Sequence, residues 1–335
     1  MASITLSAKM KKLMSDLEGL SEVEALVRSK FSAEAVKLTD ISAYLFDTGG
    51  KRIRPVLALL VAKALGLSKP SASLIDVAAG IELIHMATLL HDDIIDKSPT
   101  RRHMESPYLR YGTPATLLTG DFLLVRAFSL CARLDRTIID ETERACVELT
   151  EGEILESSLW EEHHSVASCL RIAKKKTASL FRLAAFCGAY LAGNSPAVVE
   201  AAARFGEELG TAFQMLDDIL DVTSDEDLLG KKTGTDLRER KPSLINVLWL
   251  QRGDQGSAFL RQQPHSKGED ELIANAVAFL RQDKEIIAEA RTLAKRTIEG
   301  AHTALRSAAG AAGKRDDLAL ESLELLCAFT LDRLG

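Results

Sequence analysis

The stretch from Leu74 to Ile95, LIDVAAGIELIHMATLLHDDII, carries apolar residues nearly all the way round a helix. A surface helix shows a single apolar stripe, so a helix of this kind has to sit in the middle of a helical assembly. Its last turns nevertheless hold Asp92, Asp93 and Asp96. Asp92 and Asp96 stand at i and i+4 and share a face, and Asp93 precedes Asp96 by three. Helix C-termini disfavour anions. Acids clustered there in a core helix call for compensating positive charge, which hard divalent cations supply. A solvated helix end with ordinary surface acids is the competing reading of a single such motif.

That reading weakens because the pattern occurs twice. FQMLDDILD repeats the D-D-x-x-D spacing at Asp217, Asp218 and Asp221, again at the end of an apolar helical segment. Gln214 precedes Asp217 by three and Asp221 by seven, on one stripe. Two such helices facing each other hold carboxylates on both sides of a cavity, as bundle cores do when they build metal sites. A carboxylate set without His or Cys at ligand spacing favours Mg²⁺ over zinc, and Mg²⁺ keeps waters and bridges to substrate phosphates. Basic residues gather beside these motifs. GGKRIRP opens a helix, where free N–H groups favour anions, and brings Lys51 and Arg54. Arg101 and Arg102 follow the first acid cluster, Lys176 and Thr177 sit in another helix, and Lys231, Lys232 and Lys241 follow the second cluster. Read singly, each is a solvated charge. Together they surround a cavity with two kinds of phosphate site, one bridged by metal and one gripped by Lys and Arg.

The remainder of the chain reads as all-α, with helical periodicity, few alternating β-branched runs and eight prolines. Helices are expected over 5–17, 20–33, 36–48, 52–66, 73–97, 114–134, 137–160, 166–192, 196–224, 241–252, 269–299, 301–309 and 316–333. No composition shift or internal repeat divides residues 1–335, which reads as one domain. With 335 residues and 46% hydrophobic content the chain can bury a large core. The net charge of −6, with acids and bases mixed, argues against nucleic acid as a partner. Five widely spaced cysteines among apolar residues fit a reducing compartment. The start lacks the apolar core of a signal peptide, and no apolar run is expected to reach the roughly 18 residues of a spanning helix. The expectation is a cytoplasmic protein without stable membrane insertion.

From GGKRIRP through KTASLF to the final helix, with both aspartate-rich motifs, the chain resembles the trans-type (head-to-tail) polyprenyl diphosphate synthases. The resemblance implies a single-domain all-α helical bundle around a central cavity, of the isoprenoid synthase type, assembled as a homodimer. It implies that isopentenyl diphosphate condenses with an allylic diphosphate, releasing diphosphate. By the same resemblance Lys51, Arg54, His85 and Arg102 hold the diphosphate of isopentenyl diphosphate. Arg101, Lys176, Thr177, Gln214, Lys231 and Lys241 face the allylic diphosphate. Asp92, Asp96 and Asp217 are implied as the main ligands of two or three Mg²⁺ ions, supported by Asp93, Asp218 and Asp221.

A growing chain extends along the apolar face toward the N-terminus of helix 73–97. Thr88 and Ala87, four and five residues before Asp92, lie about 6–8 Å up the axis, and both are small, which resembles the long-chain members that make about seven to ten isoprene units. The expected product is a long-chain polyprenyl diphosphate of the kind used for a quinone side chain, with Ala87→Phe shortening it. The chain departs from the family pattern at His103 and Arg240, where Gly is common, at Tyr108 (Asn), Glu156 (Gln) and Ile245 (Pro). Alternatives are a short-chain farnesyl or geranylgeranyl synthase, a terpene cyclase, whose second motif is usually a mixed Asn/Ser/Glu triad, and a non-catalytic partner subunit, which is expected to have lost acids from one motif.

Overall fold

The computed structural model describes residues 6–224, 233–253, 255–264 and 269–332. These residues form α1 (Leu6–Asp16), α2 (Leu20–Ser29), α3 (Val36–Asp47), α4 (Ile53–Ala64), α5 (Ala72–Ile95), α6 (Pro107–Tyr111), α7 (Thr113–Cys131), α8 (Arg136–Leu155), α9 (Val166–Ala173), α10 (Ser179–Leu191) and α11 (Pro196–Thr223). They continue with α12 (Thr235–Glu239), α13 (Leu244–Gln251), α14 (Glu269–Gln282), α15 (Lys284–Ala311) and α16 (Asp317–Asp332). Among the described residues the only strands are the two-residue pair Thr100–Arg101 and Met104–Glu105, antiparallel with Thr100 opposite Glu105. The fold is all-α, as the periodicity predicts.

α5 is the central rod. Ser71 caps it by accepting the Leu74 N–H at 3.2 Å, and Ala78, Leu83, Ala87 and Leu90 along it are sealed from solvent. It packs against α7, α4, α10 and α2, while α11 packs against α10 and α15. The uniform hydrophobicity of α5 thus has its cause in neighbours on every side. Two apolar clusters make the core. One joins α1–α5 to α10 and the first half of α11, and the other gathers the end of α11 (Met215, Leu216, Ile219) with α13, α14 and α15.

Three expectations need correction. The C-terminal helices do not break at Gly300: Asp283 accepts the N–H groups of Glu285 and Ile286, each at 3.0 Å, and so starts a helix that runs through Gly300 to Ala311. Gly300 is tolerated mid-helix because its bare face lies on Glu208. The stretch 166–192 is not one regular helix, since a π-helical turn over Lys174–Ala178 interrupts it. Two helices, Ala72–Ile95 and Thr113–Cys131, are long and apolar enough to cross a membrane, contrary to the expectation of none. The first is the buried core rod. The second leaves an apolar stripe uncovered.

Candidate active site

The acid-bearing ends of α5 and α11 open onto one cavity of about 830 Å³. On α5 its wall is formed by Glu82, His85, Thr88, Leu89, Asp92 and Asp96, the i, i+3, i+4 stripe of a single helix face. α11 adds Phe213, Gln214, Asp217 and Asp218. Lys51, Arg52, Arg54, Arg101, Arg102, Lys176, Thr177 and Lys241 add to the polar wall, Glu153 and Glu156 bring further carboxylates to it, and Leu149, Ile172 and Phe181 contribute apolar surface. Lys231 lies outside the described residues.

Asp93, Asp221 and Ala87 are not on this wall. Asp93 is fully buried, and its Oδ1 accepts from Arg101 Nη2 at 2.6 Å and Nε at 2.8 Å. Its part is to hold Arg101 in place. Asp221 is also buried and accepts the backbone N–H of Thr235 (3.3 Å) and Asp236 (3.0 Å), which ties the start of α12 to α11. Asp93 follows from helix geometry, because it lies one position round the helix from Asp92; Asp221 shares the stripe of Asp217 at i+4, and its bonds to the start of α12 engage it instead. Ala87 is sealed in the core, one position round the helix from Thr88.

The second acid motif is oriented by a relay of hydrogen bonds. Thr177 Oγ1 donates to Gln214 Oε1 at 2.7 Å, and Gln214 Nε2 donates to Asp218 Oδ1 at 2.9 Å. Asp218 Oδ2 accepts the Leu244 N–H at 2.8 Å. The π-helical turn carries Lys176 and Thr177 to this place, a local widening of the kind that often marks functional sites. Gly152 of α8 makes room for it: a Cβ there would stand 2.5 Å from the Lys176 nitrogen.

Electrostatics set the charge states. Burial pushes the Asp92 carboxyl up to about 7, with Lys176 partly opposing. Asp218 also reaches about 7, through burial and then the Asp236 carboxylate. His85 is driven well below its ordinary value by burial and by Arg54, Arg102 and Arg101, so its imidazole is neutral at pH 7. Burial lowers Arg54 to about 10 despite attraction to Glu82, Asp217 and Asp92. The Arg54 guanidinium lies 4.9 Å from the Phe181 ring centroid, and its buried Nε has no hydrogen-bond partner. A buried donor without a partner, aimed at a cavity, fits an anion acceptor from outside.

The lysines at the other end are paired. Lys176 meets Glu156 at 2.6 Å and Glu153 at 2.7 Å. Lys241 meets Asp96 at 2.8 Å and Glu239 at 3.1 Å. Burial acts to lower both, but the surrounding carboxylates, Glu156 first, more than offset it and raise them. These glutamate partners were not foreseen. Nor was the Arg52–Glu82 pair (3.1 Å), although Glu82 sits three residues before His85 on the same stripe and could have been found by that spacing.

Two departures from the family pattern acquire a physical meaning. His103, at φ 65°, and Arg240, at φ 56°, both occupy left-handed backbone, which favours glycine. Arg102 and His103 form the two-residue turn between the short strands, both at positive φ. Arg240 is held there by its buried side chain, which bonds Glu269 at 2.8 Å and the carbonyl of Leu237 at 2.7 Å.

The donor set fits hard divalent ions: Asp92, Asp96 and Asp217 offer only carboxylate oxygen, and the raised Asp92 shows a buried acid that lacks enough positive charge. Among the described residues no three candidate ligands are already gathered as a metal cluster, and Asp96 is engaged by Lys241.

Known proteins resemble this chain in sequence and in fold. The family model for polyprenyl synthetase matches residues 35–280. The octaprenyl diphosphate synthase of Haemophilus influenzae is 34% identical over 270 residues, 80% of this chain and 82% of the relative. The geranylgeranyl diphosphate synthase of Methanosarcina mazei is 36% identical over 225 residues, 65% of this chain and 68% of the relative. A polyprenyl synthase from Caulobacter crescentus, solved with calcium and isoprenyl diphosphate, superposes with a TM-score of 0.86 at 30% identity over 100% of both chains.

Proposed function

The chain belongs to the polyprenyl synthetase family, and we propose that it is a trans-prenyltransferase that condenses isopentenyl diphosphate with an allylic diphosphate and releases diphosphate. The observation that carries the reading is the single cavity lined by acids from two opposed helices, by basic residues from several other elements, and by apolar surface.

Asp92, Asp96 and Asp217 would hold divalent ions, Mg²⁺ by the hardness of the donor set. Bound there, such ions would supply positive charge to the allylic diphosphate for ionisation of its C–O bond. Lys176 and Lys241, both on the cavity wall, would add positive charge to the same group. Thr177, Gln214 and Asp218 hold one another in register for it. Lys51, Arg54, Arg102 and neutral His85 form the other end, suited to the second diphosphate. Leu89, Leu149, Ile172, Phe181 and Phe213 exclude water, so the isopentenyl double bond is the nucleophile at C1 of the cation, and the proton lost on closing the new alkene passes to the departing diphosphate.

The product is a long-chain polyprenyl diphosphate. Thr88, small and on the cavity wall, supports that length, as does likeness to octaprenyl synthases; the geranylgeranyl relative keeps a shorter product as the second reading. The protein acts as one domain in the cytoplasm, as a homodimer. Leu117, Leu118, Val125 and Phe128 make an exposed apolar stripe along α7, 43% to 65% open, of the kind that a second copy covers. Incubating the purified protein with labelled isopentenyl diphosphate, each allylic primer in turn and Mg²⁺, and resolving products by chromatography, tests activity and length together. Prenyl products of long chain are expected; absence of any metal-dependent product overturns the proposal.

A further inference from the structure

One carboxylate oxygen serves both lysines at the acidic end of the cavity. Glu156 Oε2 lies 2.6 Å from Lys176 Nζ and 3.7 Å from Lys241 Nζ. Glu156 is the residue at which α8 ends, its N–H bonded to the carbonyls of Glu153 and Gly152, so its backbone is fixed. The three side chains are 17% to 20% exposed, shielded enough for their charges to interact strongly. The two ammonium groups repel one another, and Glu156 is the strongest attraction on each. Their other partners each touch a single lysine: Glu153 on one side, Asp96 and Glu239 on the other. Asp96 is committed elsewhere once it turns to a divalent ion. Glu156 has no such second task.

We propose that Glu156 sets the affinity of the diphosphate site: it holds Lys176 and Lys241 as a pair and competes, as a fixed anion, with the diphosphate for both. This inference rests on the reading of the site as a diphosphate pocket. Removing the charge takes away the one anion the two lysines share and leaves them less neutralised, with only Glu153, Asp96 and Glu239 opposing them, so it tightens diphosphate binding. A merely structural carboxylate has the opposite signature, because its loss disorders the lysines and weakens binding.

The test is calorimetric titration of inorganic diphosphate, with Mg²⁺ present, into the wild type and into Glu156→Gln, Glu156→Ala and Glu156→Asp. Glu156→Gln and Glu156→Ala are expected to bind about fivefold to tenfold tighter, with the KM for the allylic diphosphate falling in parallel. Glu156→Asp keeps the charge and stays within about twofold of the wild type. Two charge-removing variants are used so that whichever retains the native far-UV spectrum carries the result. Unchanged or weaker diphosphate binding on loss of the charge overturns the inference while leaving the diphosphate pocket intact. A wild type that binds no diphosphate overturns both, and is recognised by that result.

Discussion

Arg54 offers a separation of stability from function. Its folded-state pKa falls from the ordinary guanidinium value to about 10, burial outweighing the attraction of Glu82, Asp217 and Asp92. At ~1.36 kcal/mol per pKa unit, keeping the guanidinium charged in the empty cavity costs at most about 3 kcal/mol, less where cavity water screens it. Arg54→Met keeps the aliphatic volume over Phe181 and removes the charge. The unliganded variant should therefore gain about 1–3 kcal/mol; with ~2.1 cal/mol/K of unfolding entropy per residue in a chain of this size, that is a rise in Tm of roughly 1–4 °C. Binding should suffer in the opposite sense. Charge-assisted hydrogen bonds contribute about 1.5–3 kcal/mol each, so KM for isopentenyl diphosphate should rise roughly 10- to 100-fold. Thermal melting without ligand and steady-state kinetics with isopentenyl diphosphate varied check both halves. A variant with lowered Tm and unchanged KM refutes the reasoning, because Arg54 would then be a structural cation and not a waiting anion site.

Asp92 and Asp218, both near 7 in the folded protein, link metal to pH. Their folded values exceed the unfolded one, so their stabilising contribution is fully present below about 4 and is lost as pH rises through about 7. Mg²⁺ should therefore raise Tm more at pH 8 than at pH 6, and equal gains contradict this. Thr88→Phe, on the wall, should shorten the product, read by chromatography; an unchanged distribution removes the gate from this level. Ala87→Phe should also shorten it, at an overpacking cost of about 1–3 kcal/mol visible in melting, because Ala87 is sealed in the core. Val125→Asp on the exposed stripe of α7 should convert a dimer to a monomer in analytical ultracentrifugation, and a retained dimer excludes that face.

The helices that matter most were the easiest to read. α5 and α11 announce themselves because uniform hydrophobicity ending in D-D-x-x-D has few structural explanations, and the i, i+4 spacing already told that Asp92 and Asp96 share a face. Helical periodicity could not show that Asp93 grips Arg101 or that Asp221 anchors α12, since those partners come from loops and distant turns. The partnership of Lys176 and Lys241 with Glu153, Glu156 and Glu239 is likewise a product of tertiary packing. Lys176 is placed by a π-helical turn, which has no simple sequence signal. The break at Asp283 was legible in principle: an Asp followed by Lys-Glu is a helix start, and Gly300 drew the reading away from it.

The central claim is that acids from two opposed helices act on one metal–diphosphate group. Mg²⁺-dependent incorporation of labelled isopentenyl diphosphate should therefore fall about 100-fold or more in Asp92→Asn and in Asp217→Asn separately, with far-UV spectra unchanged. Wild-type incorporation by either variant would show that the two helices do not share the chemistry.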